Sequence, residues 1–318
     1  MSDRELAPAT RRERLRRLVA PLAVGIVALA WAGFIWSQLD ALRAYAWRIT
    51  PAALLGAVLL SAAYYIALAL CWALLLRRMR AERVPYMLAA RVWLLSMVSR
   101  YIPGNVWHIL SRALMAQRLG VSRTAVVASA TIEQGLTILA ALGITAVTLP
   151  LWRAGGTAPA LLATVVVATL VGLVCLHPRI LGALLAWASV RLRRPELAWS
   201  YRYRDILALA AAFAFAHLCS GLALVSVLAG VAGVDPAILP LVVGAAAAAW
   251  VVGYLSLLTP SGLGVREGAL VGLLALVVPL PVATIASLLF RVAITLGELL
   301  AVLLFWAGGA LARQGQRQ

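Results

Sequence analysis

Hydrophobic residues gather along this chain in runs that match the thickness of a bilayer core. Near 18–39, 51–76, 124–150, 158–176, 206–231 and 280–306 the apolar positions continue long enough to cross, about 20 residues being what one crossing needs. Each run predicts a membrane-spanning helix. Two further apolar stretches are interrupted. Residues 87–118 are broken by Tyr101-Ile102-Pro103-Gly104-Asn105, and residues 237–278 by Thr259-Pro260-Ser261-Gly262-Leu263-Gly264. Proline removes a backbone donor and glycine loosens the chain, so a helix stops at such a cluster. The arms of the first stretch are too short to span at about 1.5 Å per residue. Both stretches read as re-entrant helical hairpins, although the first arm of the second is long enough to cross. The expected fold is an all-α integral membrane protein with six full transmembrane helices plus two re-entrant hairpins. A basic segment 1–17 precedes a single transmembrane domain, 18–306, and a tail, 307–318, follows it. The first apolar run exceeds a signal-peptide core and lacks a small-residue cleavage site, so it reads as a retained span.

Composition agrees with that path. Hydrophobic residues make up 64% and charged residues 12%, with a mean hydropathy of +0.97. Soluble domains carry about 25% charged residues, so a water-soluble enzyme and a disordered chain are both excluded. The net charge of +17 comes from 28 basic residues, every one an arginine. With the N-terminus in the cytoplasm and both hairpins returning to their own side, 20 arginines lie inside and three outside. That asymmetry is the positive-inside pattern, and it predicts cytoplasmic termini in a multi-pass protein of the cell membrane. No soluble segment is long enough to bind nucleic acid. The cysteines Cys71, Cys175 and Cys219 lie in apolar runs without a CxxC, so they read as small hydrophobes rather than metal ligands or disulfides.

The interrupted stretches also resemble each other. Trp93, Ser99 and Pro103 recur 157 residues later as Trp250, Ser256 and Pro260, and Gly104, Ser129 and Thr137 recur 158 later as Gly262, Ser287 and Thr295. Span, span, hairpin, span describes both 18–150 and 158–306, the first starting inside and the second outside. An inverted repeat of this kind places a site near the midplane, at the broken helices.

Charges inside apolar stretches are costly, and eight occur: Arg91, Arg100, Arg112, Arg266, Arg291, Glu133, Glu267 and Glu298. Arg91 is close enough to the cytoplasmic face to snorkel. Ser129, Glu133 and Thr137 share one helix face, as do Ser287, Arg291, Thr295 and Glu298. Glu133 corresponds to Arg291 in the repeat, so these two are expected to meet at the midplane, either as a lock between the halves or as part of a site. New helices are expected after each break, at Asn105 and near Gly264, and helix N-termini attract anions. His108 and Arg112 follow Asn105 on one face, and Arg266 lies in the first turn of the second arm. Asn105 and Glu267 also suit plain helix capping. The candidate binding residues are Asn105, His108, Arg112, Glu133, Ser261, Gly262, Gly264, Arg266, Glu267, Arg291 and Glu298. Positive helix ends and arginines imply an anion, and in a membrane that is the phosphate of a lipid headgroup.

The segment Tyr101-Ile102-Pro103-Gly104-Asn105-Val106-Trp107 followed by Arg112, and Thr259-Pro260-Ser261-Gly262-Leu263-Gly264-Val265-Arg266-Glu267-Gly268, resemble the flippase-like membrane region of the lysylphosphatidylglycerol synthases. The resemblance runs from about residue 20 to 306. It implies translocation of lipids such as aminoacylated phosphatidylglycerol or lipid-linked sugars. Full-length synthases carry a further aminoacyl-transfer domain, for which a stand-alone member ending here has no room.

Enzyme motifs are sparse. There is no HExxH, no Gly-x-Ser-x-Gly and no Walker sequence, and without lysine neither a Schiff base nor a P-loop can form. No cofactor or metal is called for. A lipid translocase is the favoured expectation. The alternatives are a non-catalytic partner of a separate lipid-modifying enzyme, and a headgroup transferase using Glu133, Glu267 or His108 as base.

Overall fold

The computed structural model describes residues 36–78, 84–101, 107–152, 159–191, 202–256 and 262–315, with residues 29 and 32–34. Among these residues the structure is all-helical. A short helix α1 (Leu39–Ala44) leads into α2 (Pro51–Arg78), α3 (Tyr86–Met97), α4 (Trp107–Gln117) and α5 (Arg123–Thr148). Then follow α6 (Pro159–Cys175), α7 (Pro178–Arg191), α8 (Tyr203–Val231), α9 (Leu239–Leu255), α10 (Val265–Leu274) and α11 (Leu280–Gly315).

Five stretches among the described residues are long and apolar enough to cross a membrane: Pro51–Arg77, Arg123–Leu151, Tyr203–Val231, Pro236–Leu255 and Leu280–Ala307. Four coincide with expected spans, and the other is the first arm of the second interrupted stretch. The run at 158–176 forms α6, a helix of 17 residues. Most of the 18–39 run and the basic segment 1–17 lie outside the described residues. Large apolar side chains such as Leu55, Leu59, Phe215, Leu222, Leu303 and Trp306 face outward and exposed. On a bundle this apolar throughout, such a surface is solvated by lipid tails. The chain is a multi-pass membrane protein.

Both interrupted stretches form helix pairs that fold back on themselves. Helix α3 has 12 residues and α4 has 11, each about 17 Å long, and the two pack together. Helices α9 and α10 pack likewise. The second arm of each pair also packs on the helix that follows it, α4 on α5 and α10 on α11. In the centre, α2 lies against α8 and α11, while α8 lies against α2 and α5.

Two glycines set the close approaches that shape the interior. A Cβ on Gly297 of α11 would fall 2.4 Å from Cβ of Ser61 on α2, so only a bare backbone lets these helices touch. Gly262 has φ +66°, and a Cβ there would lie 2.5 Å from the Gly253 carbonyl oxygen. Glycine is thus required at Gly262 twice, for its left-handed backbone and for its seat on α9.

Candidate functional site

Between the two helix pairs lies a cavity of about 390 Å³. Its wall includes Tyr64 and Tyr65 of α2, Trp93 of α3, His108 of α4, Glu133, Gln134 and Thr137 of α5, and Trp250 and Tyr254 of α9. Arg100, Gly262, Arg266 and Arg291 complete its polar surface. Both helix pairs and both following helices therefore contribute to one chamber. Its size is that of a small-ligand pocket, about 300–1,000 Å³.

On the first side, α4 and α5 are joined through Arg112 and Glu133. The Arg112 guanidinium donates to Glu133 Oε2 at 2.5 Å, with the arginine fully buried. It lies near the rings of Trp72 and Trp93, at 5.0 and 5.3 Å from their centroids, where cation–π attraction adds to the ion pair. Its Nε donates to Ser96 Oγ at 3.3 Å. Trp93 Nε1 donates to the other carboxylate oxygen of Glu133 at 2.7 Å, and Trp72 Nε1 to Ser129 Oγ at 3.1 Å. Both oxygens of Glu133 are engaged. The ion pair offsets a charge that would otherwise be very costly away from water, although Arg112 Nη2 is buried without an acceptor.

On the second side, α10 and α11 are joined through Glu267 and Arg291, 3.3 Å apart. The other oxygen of Glu267 accepts the Gly264 N–H at 2.6 Å, and its carbonyl accepts Ser287 Oγ at 3.2 Å. Glu267 thus caps the helix start and holds an arginine at once. Arg291 retains 19% side-chain exposure, against 1% for Arg112. Next to this pair stands Arg266, over the Phe290 ring at 5.5 Å. Its Nη2 is shielded from solvent and meets no acceptor, and no carboxylate lies within ion-pairing distance of it among the described residues.

A third pair joins the halves. Arg100 at the end of the first arm donates through Nη2 to Glu298 Oε2 of α11 at 2.6 Å and to the Tyr65 hydroxyl at 2.8 Å.

The expected meeting of Glu133 with Arg291 does not occur. Each is taken by the second arm of its own helix pair, because that arm packs directly on the helix bearing it. The expectation that Arg112 faces a ligand is likewise corrected: it is sunk behind Glu133 and does not reach the cavity. His108, Glu133, Gly262, Arg266 and Arg291 line the cavity, while Glu267 and Glu298 stand behind arginines that do. Gly264 caps α10. Asn105 and Ser261 lie outside the described residues. Sequence reasoning passed over Arg100, Tyr64, Tyr65 and Tyr254 as site residues. Arg100 could have been found from its place just before the break. The tyrosines gave no signal, since aromatic residues are common in any span.

The chain matches one protein family, described as Lysylphosphatidylglycerol synthase TM region, over residues 18–302. This is the family its two broken-helix motifs resemble. No curated protein matches the chain.

Proposed function

The chain belongs to the family of the lysylphosphatidylglycerol synthase TM region, and on that premise we propose that it moves phosphate-bearing lipids between the leaflets of the cell membrane. Membership ties it to membrane lipids; movement is our reading. The headgroup enters the cavity between the two helix pairs, and the acyl tails stay in the bilayer. The carrying observation is Arg266, a cation on the cavity wall with no counter-ion among the described residues. Such a group is stabilised when an anion arrives. With no ATP-binding motif in the sequence, the movement is downhill or ion-coupled.

In this reading six helices span and the two helix pairs are re-entrant, arranged as an inverted repeat with both termini cytoplasmic. The packing supports it. If α2, α3, α4 and α5 are exchanged with α8, α9, α10 and α11, each contact maps onto another: α2 on α11 becomes α8 on α5, and α3 on α11 becomes α9 on α5. A pseudo-two-fold relation produces such a pattern.

The protein acts as a carrier and not as a transferase. Glu133 and Glu267, the carboxylates available as bases, are both held by arginines, so neither is free to reach a substrate proton. The test is reconstitution in liposomes with acyl-labelled phosphatidylglycerol. Arg266→Gln should slow inter-leaflet movement by about tenfold or more, with every lipid recovered chemically unchanged. Unaltered movement would remove Arg266 from the mechanism, and a new lipid product would replace the carrier with an enzyme.

A further inference from the structure

The charges around the cavity do not balance, and the imbalance narrows the ligand. Three arginine–glutamate pairs stand at or just behind its wall, Arg100–Glu298, Arg112–Glu133 and Arg291–Glu267. Arg266 is left over, so these groups sum to +1. The segments 102–106 and 257–261, which lie outside the described residues, contain no ionisable residue in the sequence. His108, the other titratable group on the wall besides the tyrosines, can only add positive charge.

The carboxylates are also occupied. Glu133 accepts from Arg112 and Trp93 and Glu267 from Arg291 and Gly264, while Glu298 accepts from Arg100 through Oε2 and keeps Oε1 buried, off the cavity wall. A headgroup carrying an ammonium therefore meets no free carboxylate among the described residues, and it meets the guanidiniums of Arg100, Arg266 and Arg291, which repel it. What the wall does offer is neutral: Gln134, Thr137 and the stacked pair Trp250–Tyr254, whose rings lie 5.2 Å apart and nearly parallel. Amide, hydroxyl and ring face suit an uncharged polyol.

Given that the cavity holds a headgroup, we propose that it selects a phosphodiester lipid of net charge −1 whose headgroup is otherwise an uncharged polyol, glycerol or sugar, and discriminates against aminoacylated and zwitterionic lipids. The phosphate neutralises Arg266, with Arg291 beside it. A pyrophosphate would bring more negative charge than the site can balance, and an aminoacyl ester would cancel the charge that Arg266 needs.

The experiment separates selection from movement. Binding of phosphatidylglycerol, its lysyl ester and phosphatidylethanolamine to the purified protein is measured by native mass spectrometry. Phosphatidylglycerol should bind about tenfold tighter than either of the others. Gln134→Glu places a free carboxylate on the wall and should shift the preference toward the lysyl ester by about tenfold. Equal or tighter binding of the lysyl ester by the natural protein would overturn the proposal, as would an unchanged preference in folded Gln134→Glu. Displacement by water-soluble glycerophosphoglycerol at the same concentration would assign the site to a free phosphodiester and overturn the lipid. In liposomes, a charge preference in binding without movement of any lipid would sink translocation and keep the selectivity. Movement of all three lipids at one rate would do the reverse.

Discussion

Glu133 and Arg291 occupy matching places in the two halves, each on the helix after a broken pair and each tied to that pair's second arm, with the charges exchanged. Around Glu133 the surroundings are closed. Arg112 is buried near two indole rings, and both carboxylate oxygens are used. Around Arg291 they are open: the contact is longer, the arginine faces the cavity, and a second arginine stands beside it without a partner. One topology thus yields a sealed lock on one side and an adaptable cationic wall on the other. Exchanging the charges matters because the carboxylate faces the cavity in the first half and the guanidinium in the second. The cation without a carboxylate partner among the described residues, Arg266, therefore lies on the second side.

The largest difference between the halves should appear on removing one partner. Arg112→Ala leaves Glu133 buried and uncompensated, so it should cost about 3–5 kcal/mol, read as a large drop in thermal unfolding temperature in detergent. The double change Arg112→Met with Glu133→Leu should recover most of that loss, because an apolar pair needs no desolvation. If Arg112→Ala unfolds within a degree or two of the natural protein, the sealed lock is wrong.

A smaller contrast lies in the matched tryptophans. Trp93→Phe removes a donor from a buried carboxylate and should cost about 1.5–3 kcal/mol. Trp250 makes ring contacts with His217 and Tyr254 but no hydrogen bond through its indole nitrogen among the described residues. Trp250→Phe should therefore stay within about 0.5 kcal/mol, as substitutions that break no polar contact do. Equal losses in thermal unfolding would erase the distinction between a structural and a cavity-lining tryptophan.

Much of this was legible before the fold was known. Apolar run lengths located α2, α5, α8 and α11, and Pro103 and Pro260 marked the breaks, because bilayer thickness and backbone donors act locally along the chain. The partner of each charge was not legible. Glu133 and Arg291 stand 158 residues apart, the offset at which the two interrupted stretches resemble each other, and that likeness suggested that they face each other. What decides their partners is the packing of the second helix of each pair onto the next helix, a relation that periodicity does not contain. The same holds for Arg112. Its spacing from His108 puts both on one helical face, but only the positions of Trp72 and Trp93 on other helices turn it inward.

The finest test of the two sides is one conservative change on the open side. Glu267→Gln keeps an oxygen for the Gly264 N–H and keeps the helix start capped, so the only loss is the charge facing Arg291. Arg291 keeps 19% side-chain exposure while Glu267 is buried, so the loss of stability should fall between about 1 kcal/mol, as for an exposed pair, and about 3–5 kcal/mol, as for a fully buried one. The cavity, however, gains a second uncompensated cation. Anionic lipid should then bind more tightly, by a few-fold at low ionic strength, with the gain shrinking as salt screens it. Stability and binding therefore separate at Glu267, whereas at Glu133 the loss of charge removes the fold and the cavity together. A Glu267→Gln protein that unfolds as readily as Arg112→Ala, or whose anionic lipid affinity is unchanged at low salt, would make the second pair a lock like the first.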